Sequence, residues 1–197
     1  MVAERTRWGS PPVMVLLAVG CAPEYADFRS CDWRDVVINE VASASVTETV
    51  PGAKDFVELY NGGAEPVELA GWTLSRSETA LEYTIVGAAN EAGDSATELD
   101  PGQTLVVIAH TYSADDGLLY AGFDLNRDGD GVWLRAPQAD GYVLCDAALY
   151  PDQHAGTSWG RAPDGRPADE DDEVWCRQAP TQGATNGPCL DADGGVP

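Results

Sequence analysis

Gly156-Thr157-Ser158-Trp159-Gly160 has the G-x-S-x-G spacing that presents a serine nucleophile on a sharp turn between a strand and a helix. The turn works because amides at the start of the helix stabilise an oxyanion. Here Arg161-Ala162-Pro163-Asp164-Gly165-Arg166-Pro167 follows, and two prolines and a glycine oppose a helix. A hydrolase would have only His110 and His154 as bases. Asp124, Asn126, Asp128 and Asp130, with Gly129 and Gly131, match the first half of a calcium loop, in which oxygen ligands alternate along the chain. The twelfth position, which should close the site with a bidentate carboxylate, is Arg135. Asn, Asp and Gly also suit a hairpin turn for backbone reasons alone. No metal is therefore expected, and calcium at these four residues stands as the alternative.

Glu40, Asp55 and Glu58 recur near the first strands, and a carboxylate pair facing across strands could act as acid and base. Such groups more often cap turns or face water, so no catalytic residue is assigned. Trp133, Trp159, Trp175 and Tyr150 lie on or beside loops and could stack on sugar rings, although core packing accounts for most aromatics in a β-protein. Trp72 reads as core. No C-x-x-C pair occurs, and neither histidine has zinc spacing with the cysteines.

Thirty-three acidic residues against 11 basic ones give a formal net charge of −22. Nucleic-acid affinity comes from cations neutralising phosphates, so nucleic acid is not an expected partner. The 197 residues suit one domain with appendages, and 44% hydrophobic residues are enough for a core.

The elements that must position these residues are short strands. Asp55 to Ser75 reads as strand, Asn61-Gly62-Gly63 turn, strand, with Val57, Leu59, Val67, Leu69, Trp72 and Leu74 setting the register. Val36 to Val41 is a first strand, Leu81 to Gly87 another, and Leu105 to Ala109 a central strand covered on both faces. Tyr120 to Leu125 and Val132 to Ala136 suggest a hairpin. Tyr142 to Leu149 directs Val143, Cys145 and Ala147 to one face, and Ser158 to Arg161 with Val174 to Cys176 forms a last hairpin. No segment keeps a helical period for ten residues, which argues for an all-β sandwich.

Arg5 and Arg7 precede a short apolar run, Val13 to Val19, too short to span a bilayer. Leu17-Ala18-Val19-Gly20-Cys21 resembles the lipobox of bacterial lipoproteins, in which the cysteine is acylated and becomes the mature N-terminus. The resemblance implies a signal peptide over 1–20, lipid attachment at Cys21 and a membrane held without a transmembrane helix. Ala22 after the cysteine, by the same analogy, implies the outer membrane. An ordinary secretory signal, with Cys21 a fifth structural cysteine, is the other possibility. With Cys21 acylated, Cys31, Cys145, Cys176 and Cys189 remain, an even number suited to disulfides in an oxidising compartment. Three pairings are open. The expected one joins Cys31 to Cys189 across the two edges of the domain and Cys145 to Cys176 between neighbouring strands.

VINEV, DFVELYN, PVELAGWTLS, LDPGQTLVV, FDLNRDGDGVWL, SWGRAPDG and APTQGATN, in that order and spacing, resemble a bacterial lamin tail domain. Gln182 stands where the closing motif usually has Pro. The resemblance implies an immunoglobulin-like β-sandwich over 36–187, after a tether at 21–35 and before a tail at 188–197. It also implies binding or anchoring and no enzyme activity. The family's links to DNA are not carried over to so acidic a chain. The expectation is a lipid-anchored protein of the bacterial cell envelope with a protein or surface-polymer partner; a calcium-dependent or carbohydrate-binding accessory module is the alternative.

Overall fold

The computed structural model describes residues 36–44, 54–87, 96–112, 116–166 and 174–191. Within them the chain is all β. β1 (Val36–Ala42), β2 (Phe56–Asn61), β7 (Thr104–Ile108), β8 (Leu119–Tyr120), β11 (Ser158–Arg161) and β12 (Trp175–Gln178) form one sheet in the order β12-β11-β1-β2-β7-β8. β4 (Thr73–Ser75), β5 (Tyr83–Thr84), β9 (Gly129–Gln138) and β10 (Gly141–Pro151) form the second, ordered β10-β9-β4-β5. β3 (Val67–Glu68) pairs with β6 (Glu98–Leu99) at the side. Period-two patterning explains the assembly: Ile38, Val41, Val57, Leu59 and Val107 from the first sheet meet Leu74, Val132, Leu134, Ala136 and Ala148 from the second in one core, with Trp72 buried among them.

Asp55 to Ser75 holds the core residues its pattern predicts, but it is not a hairpin. β2 pairs with β1 and β7, and the chain after it crosses to the other sheet. Asn61 directs that departure. Its amide donates to the carbonyls of Glu65 and Leu99, both at 2.8 Å, and its Oδ1 accepts from Gly63 N, so the turn is bonded to itself and to β6 rather than folded back on β2. The expected hairpin of Tyr120–Leu125 with Val132–Ala136 also gives way. Tyr120 ends an edge strand parallel to β7, while Ala121, Phe123 and Leu125 cross between the sheets with their side chains buried. β9 instead pairs with β10. β7 is not covered throughout, because its outer neighbour β8 is only two residues long and Thr104 to Val106 stay partly exposed.

Two β-bulges set the rest. In β1 the extra residue is Asn39, between the pairs Ile38↔Leu59 and Glu40↔Glu58. In β10 it is Cys145, between Leu144↔Arg135 and Asp146↔Leu134. A bulge reverses the alternation beyond it. That is why Ala148 and Tyr150 are buried, where an unbroken strand would turn Ala147 inward.

The bulges meet through one ion pair. Arg161, fully buried on β11, donates from Nη2 to both carboxylate oxygens of Asp146 (3.1 and 2.8 Å) and from Nε to Ile38 O at 2.7 Å. Asp146 Oδ2 accepts from Ile38 N at 2.7 Å, and the guanidinium sits 4.6 Å from the centre of the Trp175 ring.

The disulfide expectation is corrected. Cys176 is bonded to Cys189, with Cα atoms 5.5 Å apart, so neither Cys145–Cys176 nor Cys31–Cys189 forms. β12 returns beside β11, and Leu190 N bonds back to Arg177 O, which brings Cys189 to Cys176. Cys145 is disulfide-bonded as well. Cys21 and Cys31 lie outside the described residues.

Removing one partner of a buried, hydrogen-bonded pair leaves the other charge uncompensated. Arg161→Leu is therefore expected to cost about 3–5 kcal/mol in urea unfolding, and a second change, Asp146→Leu, is expected to restore part of that loss. A loss below ~1 kcal/mol would show that the pair does not join the sheets.

Candidate functional site

Four separate stretches converge on the face of the six-stranded sheet that points away from the core. The Asn39 bulge turns both Asn39 and Glu40 to this face, and Glu40 then lies directly opposite Glu58 of β2. Both carboxylates are fully buried. What covers them is the turn after β11, with Asp164, and the segment Thr181 to Asn186, which lies inside the loop closed by Cys176–Cys189.

The covering segment offers donors and the sheet offers acceptors. Thr181 N donates to Glu40 Oε1 at 3.1 Å, Gly183 N to Glu58 Oε2 at 2.7 Å, and Asn186 N to Asp164 Oδ1 at 3.0 Å. Ser158 Oγ donates to Glu40, and Asn39 Nδ2 bridges Glu58 and Asp164, each at 3.0 Å. Asn186 Nδ2 reaches the carbonyls of Asn39 and Arg161 at 3.1 and 2.9 Å. Two glycines permit this approach. A Cβ on Gly160 would come within 1.9 Å of the Gln178 amide nitrogen, and one on Gly165, at φ +67°, within 2.3 Å of the Tyr60 ring.

Burial raises the pKa of Glu40 and pushes Glu58 up to about 7, with hydrogen bonds from Asn39 and Gly183 opposing the shift at Glu58 and the charges of Glu40 and Asp164 adding to it. The Thr181 hydroxyl lies within donating reach of both Glu40 Oε2, at 2.8 Å, and Asn186 Oδ1, at 2.9 Å. Above the network an open polar cleft of about 400 Å³ is lined by Tyr60, Gln103, Thr104, Asp164 and the 183–185 segment.

Of the carboxylates singled out by sequence, Glu40 and Glu58 are brought together; the Asp55 carbonyl accepts from Ala109 N. Ser158 is on a strand, fully buried and bonded to Glu40, with a turn and no helix after it, so the G-x-S-x-G stretch is not a nucleophile turn. In the Asp124 loop the oxygens serve the backbone. Asp124 Oδ1 accepts from Thr111 N, Asn126 Oδ1 from Asp128 N, and Asp130 Oδ1 from Gly131 N. Among the described residues no group of three or more His, Cys, Asp or Glu side chains gathers as metal ligands. Tyr150 is buried, Trp159 and Trp175 pack against the core, and Trp133 remains partly open on the outer face of β9. Asn39, Thr181, Asp164 and Asn186 were not singled out by sequence; their only trace was membership of VINEV, SWGRAPDG and APTQGATN.

The architecture defines an immunoglobulin-like β-sandwich whose most elaborate polar site holds its own chain. The lamin tail domain family model matches residues 32–150, more than half of the 197, and the chain belongs to that family of non-catalytic immunoglobulin-like modules. The match ends at Tyr150, ahead of β11, β12 and the covering segment. Neither a curated protein nor a solved structure matches the chain significantly.

A carboxyl group whose pKa is higher in the folded than in the unfolded chain stabilises the fold while protonated. For Glu58 that contribution is complete below the ordinary carboxylate range, near 4.5, and is lost as pH rises through about 7. Urea unfolding is therefore expected to show stability falling by up to about 3 kcal/mol between pH 4.5 and 7.5, and Glu58→Gln is expected to flatten the profile. A profile that rises over this window would contradict the raised pKa of Glu58.

Proposed function

We propose that the chain is a lipid-anchored, non-enzymatic protein of the bacterial cell envelope, most fittingly of the outer membrane, whose lamin tail domain serves as a binding or structural module for a protein or surface polymer. The observation that carries the non-enzymatic part is the use of the polar groups at the candidate site. Three carboxylates, Glu40, Glu58 and Asp164, accept from Thr181, Gly183, Asn186, Ser158 and Asn39, and the groups that resembled a catalytic pair are covered by the chain itself. A catalytic acid and base must reach a substrate proton within hydrogen-bond distance. These two reach backbone amides.

The anchor rests on the sequence Leu17-Ala18-Val19-Gly20-Cys21 and on disulfides of a kind that oxidising compartments permit. Acyl chains on Cys21 would hold the protein to a membrane through apolar transfer, and two chains suffice where one does not. Among the described residues no helix is long and apolar enough to cross a membrane.

Detergent-phase partitioning of cell membranes tests this address. The wild-type chain is expected in the membrane fraction and the detergent phase, and Cys21→Ser in the aqueous phase. A Cys21→Ser protein that still fractionated with membranes, or a wild-type chain that did not, would contradict lipid anchoring.

A further inference from the structure

The outward positions of β9 and β10 carry no carboxylate, in a chain with 33 acidic residues, and Asp140 lies in the turn that joins them. Val132, Leu134, Ala136, Ala148 and Tyr150 point into the core, so alternation and the Cys145 bulge turn Trp133, Tyr142, Leu144, Ala147 and Leu149 outward. Leu149 is 71% exposed and Tyr142 41% exposed. The far edge of the Trp133 ring leans along the strand over Gly131, where a Cβ would lie 2.3 Å from it, with Leu149 on the same spot at 2.9 Å. The aromatic and the leucine thus form one low surface. The single charged outward position, Arg135, is nearly buried and donates to the carbonyls of Ser77 and Glu78, whose loop covers the β4 side of the face and leaves the hairpin side open.

Fourteen residues lie between Cys21 and Val36, the first described residue, a reach of at most about 50 Å, so acyl chains on Cys21 would hold the sandwich within that distance of the lipid.

We propose that the outer face of the β9–β10 hairpin, with Trp133, Tyr142, Leu144 and Leu149, rests on the surface of a zwitterionic bilayer, so that the domain lies against the membrane in one orientation. This rests on the lipid-anchored reading above. Tyr and Trp rings with aliphatic neighbours suit the water–lipid boundary, where one end of the ring is apolar and the other wet. The net charge of −22 opposes anionic lipid, which selects neutral or zwitterionic headgroups. Five outward side chains are few for a stable protein interface, which takes about 20–30 residues a side. They are enough to orient a domain already held by acyl chains.

The test separates orientation from native acylation. The chain from position 21 onward, which includes every described residue, carries Cys21→Ser and an amino-terminal hexahistidine, and is held on phosphatidylcholine vesicles containing a nickel-chelating lipid. Hydroxyl-radical labelling of Tyr142 and Leu149 is expected to fall several-fold relative to the free protein, while Tyr112, 66% exposed after β7 of the other sheet, is labelled as before. Equal labelling of all three on and off the vesicles overturns the proposal. Protection that appears in free protein as its concentration rises also overturns it and assigns the face to a second copy of the chain. Leu149→Asp is expected to lose the vesicle protection of Tyr142 with an unchanged thermal midpoint; full retention of that protection would show that the face is not the contact. Because the tag replaces the acyl chains, a negative result here is distinct from a failure of Cys21→Ser to release the protein in cells.

Discussion

The Arg161–Asp146 ion pair is the constraint on which the arrangement of the two sheets depends. An unpaired backbone N–H or C=O in an interior is costly. Here the β1–β11 ladder ends at Glu40↔Gly160, short of Ile38, and Ile38 N and O are each taken by one member of the pair, Asp146 from β10 and Arg161 from β11. The guanidinium in turn has its other donors on Asp146 and on the Arg166 carbonyl. The pair is therefore less an isolated attraction than a way of finishing the backbone where the two sheets come together. An apolar pair of the same volume would fill the space but would leave Ile38 without partners.

The β1 bulge creates the site on the opposite face. Inserting Asn39 places both Asn39 and Glu40 away from the core, so that Glu40 faces Glu58 and Asn39 can bridge Glu58 and Asp164. Two carboxylates side by side without a cation would repel one another if both were ionised. Protonation relieves this, and the covering segment supplies amide and hydroxyl donors for the rest. The Cys176–Cys189 bond closes that segment into a short loop and restricts the unfolded chain, worth about 3 kcal/mol on the chain-entropy view. Covalent closure and hydrogen bonding thus act on the same few residues. The cleft bounded by Tyr60, Asp164 and the 183–185 segment exists only while they stay in place.

Much of the fold was legible in the sequence because apolar alternation reports burial directly. Val57, Leu59, Trp72 and Leu74 are core as their spacing requires, and β11 pairs with β12 as the final hairpin requires. Pairing partners were less legible. Asn61-Gly62-Gly63 and Asn126 to Gly131 have the composition of hairpin turns, yet at each the chain changes sheets, because turn chemistry describes the bend and not what the next strand meets. Bulges leave no periodic signature, so the inward shift of Ala148 and Tyr150 and the Cys176–Cys189 bond were not foreseeable from spacing. At the site, Glu40 and Glu58 were visible as carboxylates on early strands. Their partners Thr181 and Gly183 lie more than 120 residues away, and nothing local marks them as donors.

The buried carboxylates are acceptors that lock the carboxy-terminal loop to the sheet. Native-state hydrogen exchange at the amides of Thr181, Gly183 and Asn186 tests it most directly. These three are loop residues by backbone geometry, and loops ordinarily open with little cost. If Glu40, Glu58 and Asp164 hold them, they exchange as slowly as the amides of β1 and β2 and are released only with global unfolding. Exchange at the rate of an exposed loop, while β1 and β2 stay protected, would contradict the account.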